Sequence, residues 1–72
     1  MQRNLAELRV DAGYKSQKNL ADIVDVTRSA YAKWENGICY PPAQKIVQLS
    51  KALNVTEGEV IAAVTAAKQK SA

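Results

Sequence analysis

Two short helical patterns in the middle of this chain are separated by only three residues. The first covers about residues 17–24 and the second about residues 28–36. Thr27 is placed to cap the second helix, and the pair Asn36-Gly37 is a strong signal for its end. The pattern predicts two helices that are joined by a tight turn and pack against each other.

Apolar residues on both patterns indicate how the two helices are held together. They recur at three- and four-residue intervals, which places them on the inward faces, and small Ala21 permits a close approach. The residues expected at this contact are Leu20, Ala21, Val26, Tyr31 and Trp34, and Val24 is also expected on the buried side of the first of the two helices. Polar residues occupy the opposite face of the helix over about residues 28–36.

A further helix is predicted before this pair. Leu5, Leu8 and Ala12 share one face of a first helix, with Arg9 away from that face or at its edge, and Gly13 offers the positive φ that commonly ends a helix.

A fourth helix can start at Pro42, since proline fits the first turn of a helix, and it ends at Asn54. It places Lys45 and Lys51 outside. Its buried face is predicted to contain Ile46, Leu49 and Leu53.

A fifth helix follows the sequence 56–59, which fits a capping box between Thr56 and Glu59. Val60, Ile61 and Val64 are expected in the core, and the end of the chain is expected to fray over about residues 67–72. The fold class is therefore all-α, with residues 1–72 forming a single domain of five helices.

Charge and residue types narrow the function. The formal net charge of +3 agrees with a nucleic-acid partner, although many small domains carry as much. The single cysteine, Cys39, and the lack of histidine argue against a disulfide, a zinc cluster or catalysis. We expect no cofactor, metal, small-molecule substrate or membrane span, and a cytoplasmic location in a bacterial host.

Four stretches of the chain together resemble the Cro/repressor-type (XRE-like) helix-turn-helix family of phage repressors, over about residues 5–61. The resemblance implies a compact, lambda-repressor-like DNA-binding domain with its helix-turn-helix at about residues 17–36. The matching stretches are Gln17-Lys18-Asn19-Leu20-Ala21-Asp22, Val26-Thr27-Arg28-Ser29, Lys33-Trp34-Glu35-Asn36-Gly37 and Lys51-Ala52-Leu53-Asn54-Val55-Thr56.

The same resemblance implies roles for individual residues. Gln17, at the start of the helix over about residues 17–24, and Asn36, at the end of the helix over about residues 28–36, would contact DNA phosphates. Outer residues of the latter helix would read bases. A buried ion pair would join Arg9 to Glu35. The surface that would bind DNA or a partner comprises Gln17, Lys18, Thr27, Arg28, Ser29, Ala32, Lys33, Asn36, Ile38 and Tyr40. Within this surface, the resemblance implies phosphate contacts for Gln17 and Asn36. It implies base contacts for Arg28, Ser29 and Lys33, whereas Ala32 can make only apolar contacts.

Two features depart from the family pattern. The turn has Asp25 where relatives usually have glycine; Asp tolerates a left-handed backbone but adds a negative charge near the DNA-reading helix. After Gly37, relatives often carry basic residues, whereas this chain has Ile38-Cys39-Tyr40. That segment could be part of the core, a contact in a self-dimer, or a docking site for another protein.

The sequence therefore leaves two classes of partner open. One is double-stranded operator DNA, as for a regulator of a temperate-phage genetic switch. The other is a phage CI-type repressor, because the size and sequence are also similar to those of phage modulator-of-repression proteins. Such an antirepressor would bind the DNA-reading domain of the repressor in a heterodimer.

Overall fold

The computed structural model describes residues 3–70, and within that range it contains five helices and no strand. The all-α, five-helix prediction is confirmed. The helices are α1 (Leu5–Asp11), α2 (Gln17–Ile23), α3 (Arg28–Glu35), α4 (Ala43–Leu53) and α5 (Glu57–Lys70).

Helix α1 begins with a reciprocal cap that the sequence analysis did not identify. The Asn4 side chain accepts a hydrogen bond from the Glu7 amide, and the Glu7 carboxylate accepts one from the Asn4 amide, both at 2.9 Å. The placement of Ala12 on the same face as Leu5 and Leu8 is wrong: Ala12 is exposed, because α1 ends at Asp11 and Ala12 forms its C-cap. Gly13 follows with a φ of 97°, as predicted.

The buried face of α1 instead consists of Leu5, Leu8 and Arg9. Arg9 was predicted to lie away from this face or at its edge, but the structure buries it. Burial is possible because the guanidinium has polar partners inside the domain. These partners belong to the site described below.

The predicted boundaries of α2 and α3 agree with the structure to within one residue. Val24 is the C-cap of α2, and Asn36 is the C-cap of α3. Ser16 caps α2 by accepting a hydrogen bond from the Asn19 amide at 3.1 Å. Asp25 adopts the left-handed conformation, with a φ of 59°, and so turns the chain between the two helices without a glycine.

One apolar core joins all five helices. Tyr31 and Trp34 of α3 are both buried in it and make an edge-to-face contact, with ring centroids 5.8 Å apart. The C-terminal helix α5 packs against α1, α3 and α4 and so closes the core. The buried apolar residues of this cluster are Leu5, Leu8, Leu20, Ala21, Val24, Tyr31, Trp34, Leu49, Leu53, Val60, Ala63 and Val64.

Helix α4 begins one residue later than predicted, because Pro42 is its N-cap. Asn54 ends it with a φ of 58°. The placement of Lys45 outside is only partly right. Its Nζ donates a hydrogen bond to the Val24 carbonyl oxygen at 2.8 Å, and the bond is partly buried. Since Val24 is the C-cap of α2, the ammonium group neutralises the negative end of that helix.

We expect Lys45→Met to lower the free energy of unfolding by about 0.5–2 kcal/mol, because it removes a charge-assisted hydrogen bond at a helix C-terminus. Urea denaturation measures the change. Lys15→Met is the matched control, since Lys15 is exposed in the loop between α1 and α2. Equal losses for the two variants would show that the Val24 contact contributes nothing beyond the removal of a positive charge.

The assignment of Ile61 to the core is wrong, because its side chain is 44% exposed. Helix α5 contacts the domain along one stripe with three- and four-residue spacing, and Ile61 lies beside that stripe, about 100° around the helix from Val60. The residues on the stripe are Val60, Ala63, Val64 and Ala67.

The two ends of α5 also differ in detail from the prediction. The Thr56 hydroxyl accepts a hydrogen bond from the Glu59 amide at 3.1 Å, which is one half of the expected capping box. The helix continues to Lys70, past the position near residue 67 where fraying is expected, because Ala67 is buried on the contact stripe. Ser71 and Ala72 lie outside the described residues. Among the helices described, none is long and apolar enough to cross a membrane.

Candidate nucleic-acid interface

The outer face of α3 forms a continuous exposed surface. Its inner face is fixed by Tyr31 and Trp34, which are buried in the core. Because a helix has 3.6 residues per turn, the residues between them point away from the domain. Of the four residues that the sequence analysis placed on the outer face of this helix, Arg28, Ser29 and Lys33 are exposed and Ala32 is half-buried, and Asn36 follows them as the exposed C-cap.

Helix α3 is held to α1 by an ion pair inside the domain. Arg9 Nε lies 2.7 Å from Glu35 Oε2, and the two side chains are only 11% and 6% exposed. Arg9 also donates through Nη1 to the Tyr14 carbonyl oxygen at 2.8 Å. The structure thus joins the two residues for which the family resemblance implied an ion pair.

Gln17 connects this ion pair to the surface. Its Nε2 donates to Glu35 Oε1 at 2.9 Å, and its Oε1 accepts from Arg28 Nη1 at 3.2 Å. Four side chains therefore form one chain of hydrogen bonds from α1, through α3 and α2, to the exposed start of α3. The spacing of these residues along the sequence gave no signal of this connection, which depends on how three helices pack.

Tyr31 lies fully buried near the same ion pair. Burial raises the pKa of the Tyr31 phenol above its ordinary value, and the negative charge of Glu35 raises it further. The phenol therefore remains uncharged at any physiological pH. The carboxylate of Glu35 is the negative group in this part of the core, and Arg9 compensates it.

The surface next to the turn carries charges of both signs. Lys18 and Asp22 form an exposed ion pair at 3.1 Å on α2. Both line a shallow depression that also includes Asp25 and Arg28. The two carboxylates reduce the positive potential beside the outer face of α3, which is the reverse of what a phosphate backbone favours.

Thr27 has a structural role in addition to its place on the surface. Its hydroxyl accepts a hydrogen bond from the Ala30 amide at 3.1 Å, so it is the N-cap of α3. Its side chain is exposed at the first turn of the helix. A cap at this position fixes where the exposed face of α3 begins.

The loop after α3 leaves its large apolar side chains on the surface. Ile38 is 66% exposed and Tyr40 is 41% exposed. The proposal that this segment is buried within the monomer is therefore wrong for both. Gly37, with a φ of 72°, and Pro41 are the buried residues of this loop.

Tyr40 is tied to α5 next to a third exposed apolar residue. The Tyr40 hydroxyl lies 2.7 Å from Thr65 Oγ1, and Thr65 in turn donates to the Ile61 carbonyl oxygen at 2.9 Å. Ile61 lies one turn before Thr65 on the same side of the helix. We call Ile38, Tyr40 and Ile61 the loop patch. Sequence analysis missed Ile61 as a member, because its apolar character suggested the core.

Two short helices that meet at a tight turn, with the second helix exposed along its outer face, define a helix-turn-helix domain of the nucleic-acid-binding class. A helix-turn-helix family model matches residues 5–60. The chain belongs to this family, the Cro/repressor-type (XRE-like) helix-turn-helix proteins, as the resemblance indicated. No curated protein and no solved structure gives a significant match to the chain.

Membership in this family defines the general function. The family consists of DNA-binding regulators and not of enzymes, so the chain is assigned to DNA-binding transcriptional regulators. The matched range includes the whole helix-turn-helix and ends in the first turn of α5. The roles of individual residues are a separate question.

Proposed function

We propose that the chain regulates transcription in a temperate-phage switch between lysis and lysogeny, in the cytoplasm of the bacterial host, by inserting the outer face of α3 into the major groove of operator DNA. The observation that carries the proposal is this face, where Arg28 and Lys33 are exposed five residues apart on a helix that Arg9 and Glu35 anchor to the domain. Helix-turn-helix domains read DNA with the second helix of the pair.

Base reading falls to the outer residues of α3. The guanidinium of Arg28 and the ammonium of Lys33 can each donate hydrogen bonds to O6 and N7 of guanine. The Ser29 hydroxyl can donate to or accept from any base edge. The methyl group of Ala32 fits an apolar contact with the methyl group of thymine.

Backbone contacts frame this reading face on both sides. Gln17 lies at the start of α2 and Asn36 follows the end of α3, and we expect their amides to contact phosphates beside the groove. Lys18 and Thr27 lie beside Gln17 and Arg28 and extend the same edge. Contacts of this kind fix orientation without reading sequence.

The proposal is tested by measuring binding to duplex DNA from the switch region at several salt concentrations. We expect the logarithm of the binding constant to fall linearly with the logarithm of the salt concentration, because each neutralised phosphate releases counterions. Lys33→Met should weaken binding, and Lys51→Met, which changes an exposed lysine on α4, is the matched control. A wild-type protein that shows no salt-dependent binding contradicts the proposal.

The acidic turn gives a prediction of opposite sign. We expect Asp25→Asn to raise DNA affinity about two- to fivefold at low salt, because it removes a negative charge beside the reading face. Asn tolerates the left-handed backbone at this position, so the fold is retained. The gain should shrink as salt is raised. An unchanged affinity at low salt would show that Asp25 faces away from the bound phosphates.

A second candidate function is favoured by the loop patch. Tyr40 and Ile38 lie directly after the reading helix, and exposed aromatic and aliphatic side chains of this kind favour protein contacts. In this function the chain is an antirepressor: α3 and the loop patch bind the DNA-reading domain of a phage CI-type repressor and prevent or alter its operator binding. A self-dimer through the same patch is the third arrangement.

Sedimentation experiments separate these arrangements. The chain is measured alone and mixed with the N-terminal domain of the repressor. A stable one-to-one complex that Ile38→Ser abolishes supports the antirepressor, and Val10→Ser is the matched control, because Val10 is also an exposed aliphatic residue, on α1. A dimer of the chain alone that Ile38→Ser dissociates supports the self-dimer. A monomer that is unchanged by the repressor domain excludes both.

A further inference from the structure

We propose that Asp22 limits the sequence-independent part of DNA binding, because its carboxylate neutralises Lys18 and so withholds that ammonium group from the phosphate backbone. The inference rests on the proposed DNA-binding function, in which Lys18 lies on an edge that contacts phosphates. It adds to that function a residue that sets how tightly the chain binds any duplex, whatever its sequence. We call Lys18 and Asp22 the α2 pair.

The α2 pair lies on the surface beside the reading face. Lys18 Nζ donates to Asp22 Oδ2 at 3.1 Å, and the two side chains are 69% and 63% exposed. Residues four apart are neighbours on one side of a helix, so both charged groups face solvent on the same side of α2. The shallow depression that they line also includes Arg28, at the start of α3. The pair is therefore next to the residues that are proposed to read bases.

Helix stability does not account for the placement of these two charges. The positive end of the helix dipole is at the start of a helix, so an acidic residue there and a basic residue at the end are stabilising. Helix α2 has neither: Lys18 lies in its first turn and Asp22 in its last. A lysine that precedes its acidic partner is also the weaker order for such a pair, and exposed pairs contribute little to the free energy of unfolding. The main effect of the α2 pair is therefore on the charge of the surface.

The charges around the depression cancel. The described residues that line it include two cations, Lys18 and Arg28, and two anions, Asp22 and Asp25. The Nη1 group of Arg28 donates to the neutral amide of Gln17, so the guanidinium keeps its charge uncompensated there. Lys18 is directly paired with a carboxylate, whereas Asp25 belongs to no ion pair among the described residues. Neutralising Asp22 therefore frees an ammonium group, and neutralising Asp25 does not.

A paired ammonium group must give up its carboxylate before it can bind a phosphate. Each phosphate that a lysine neutralises releases counterions, and this release supplies most of the affinity for DNA of any sequence. While Asp22 holds Lys18, the phosphate competes with the carboxylate and is also repelled by it. The base contacts proposed for Arg28 and Lys33 do not involve the α2 pair. They therefore contribute a larger share of the total affinity than they would with a free Lys18.

Titrations with a duplex of unrelated sequence test the proposal. We expect Asp22→Asn to raise affinity about three- to tenfold at about 0.1 M salt, and to steepen the dependence of log affinity on log salt by about 0.9, as one added phosphate contact requires. In the Lys18→Met background the same substitution should raise affinity less than about twofold, since it frees no ammonium group. Asp11→Asn is the matched control and should change neither quantity. It breaks the exposed pair with Arg3, which lies beside the connection between α4 and α5.

An equal gain from Asp22→Asn in the two backgrounds would overturn the proposal, because Asp22 would then act as a general negative charge and not through Lys18. The absence of a gain in both would overturn it as well. Failure of the proposed operator reading is recognised separately, when the wild-type protein binds switch-region DNA no more tightly than the unrelated duplex. If the wild-type protein binds neither duplex at low salt, Asp22→Asn decides: binding by this variant supports the proposal, and no binding overturns it.

Discussion

Replacing Arg9 by methionine is expected to lower the free energy of unfolding by about 3–5 kcal/mol, because it leaves the carboxylate of Glu35 charged and buried without its cation. Glu35 would keep the hydrogen bond from Gln17, while the Tyr14 carbonyl oxygen would lose the donor that Arg9 supplies. A domain of this size is stabilised by only about 4–10 kcal/mol in total, so the variant should be close to unfolding. Urea denaturation at neutral pH measures the loss.

Two further variants show whether the effect belongs to the buried pair. Arg3→Met removes the cation of the exposed pair with Asp11 and should cost no more than about 1 kcal/mol. The double variant Arg9→Met/Glu35→Met should be more stable than Arg9→Met alone, because no unpaired charge remains. A loss below about 1 kcal/mol in Arg9→Met would mean that water reaches Glu35 and compensates its charge.

The local features of the fold could be predicted because their causes are local. Ser16 and Thr27 can cap α2 and α3 with their own hydroxyls, whatever the rest of the chain does. Asp25 and Asn54 tolerate the left-handed backbone, and both adopt it. Where the physics involves three or four neighbouring residues, the sequence contains enough information to place the ends of the helices.

The wrong assignments have causes that are distant along the chain. Ile61 is apolar and lies on a helix, yet which stripe of α5 is buried depends on α1, α3 and α4. The neighbours of Lys45 in the sequence predict an ordinary surface lysine, and its partner Val24 is the C-cap of another helix, α2. Ala12 was misplaced because the end of α1 removes it from a face that the spacing alone would continue.

In the candidate site, too, the features with local causes could be predicted from the sequence, and those that depend on helix packing could not. Helical periodicity alone places Arg28, Ser29 and Lys33 on an outer face, and the structure exposes all three. The pairing of Arg9 with Glu35 came from the family resemblance and not from the spacing. The link through Gln17 could not be predicted from the sequence. It requires one side chain at the start of α2 to contact side chains at both ends of α3.

Replacing Arg28 by methionine is expected to weaken binding to the preferred duplex by about 1–3 kcal/mol, or about five- to 150-fold, because a bidentate contact with guanine is lost. Binding to unrelated duplexes should change much less, so that the variant also loses discrimination. Because Arg28 is exposed and, among the described residues, donates a side-chain hydrogen bond only to Gln17, the free energy of unfolding should change by no more than about 0.5 kcal/mol. Titrations with matched and mismatched duplexes measure both effects.

Lys33→Met separates a base contact from a general effect of charge. Loss of a phosphate contact weakens all duplexes uniformly and reduces the slope of affinity against salt by about one, whereas loss of a base contact relaxes preference at one position. If Arg28→Met and Lys33→Met weaken all sequences equally, both side chains bind phosphates, and α3 reads sequence through Ser29 and Ala32 alone. If Arg28→Met instead lowers the free energy of unfolding by several kcal/mol, Arg28 has a structural role. The hydrogen bonds from Glu35 through Gln17 to Arg28 then stabilise the fold and do not position a base-reading group.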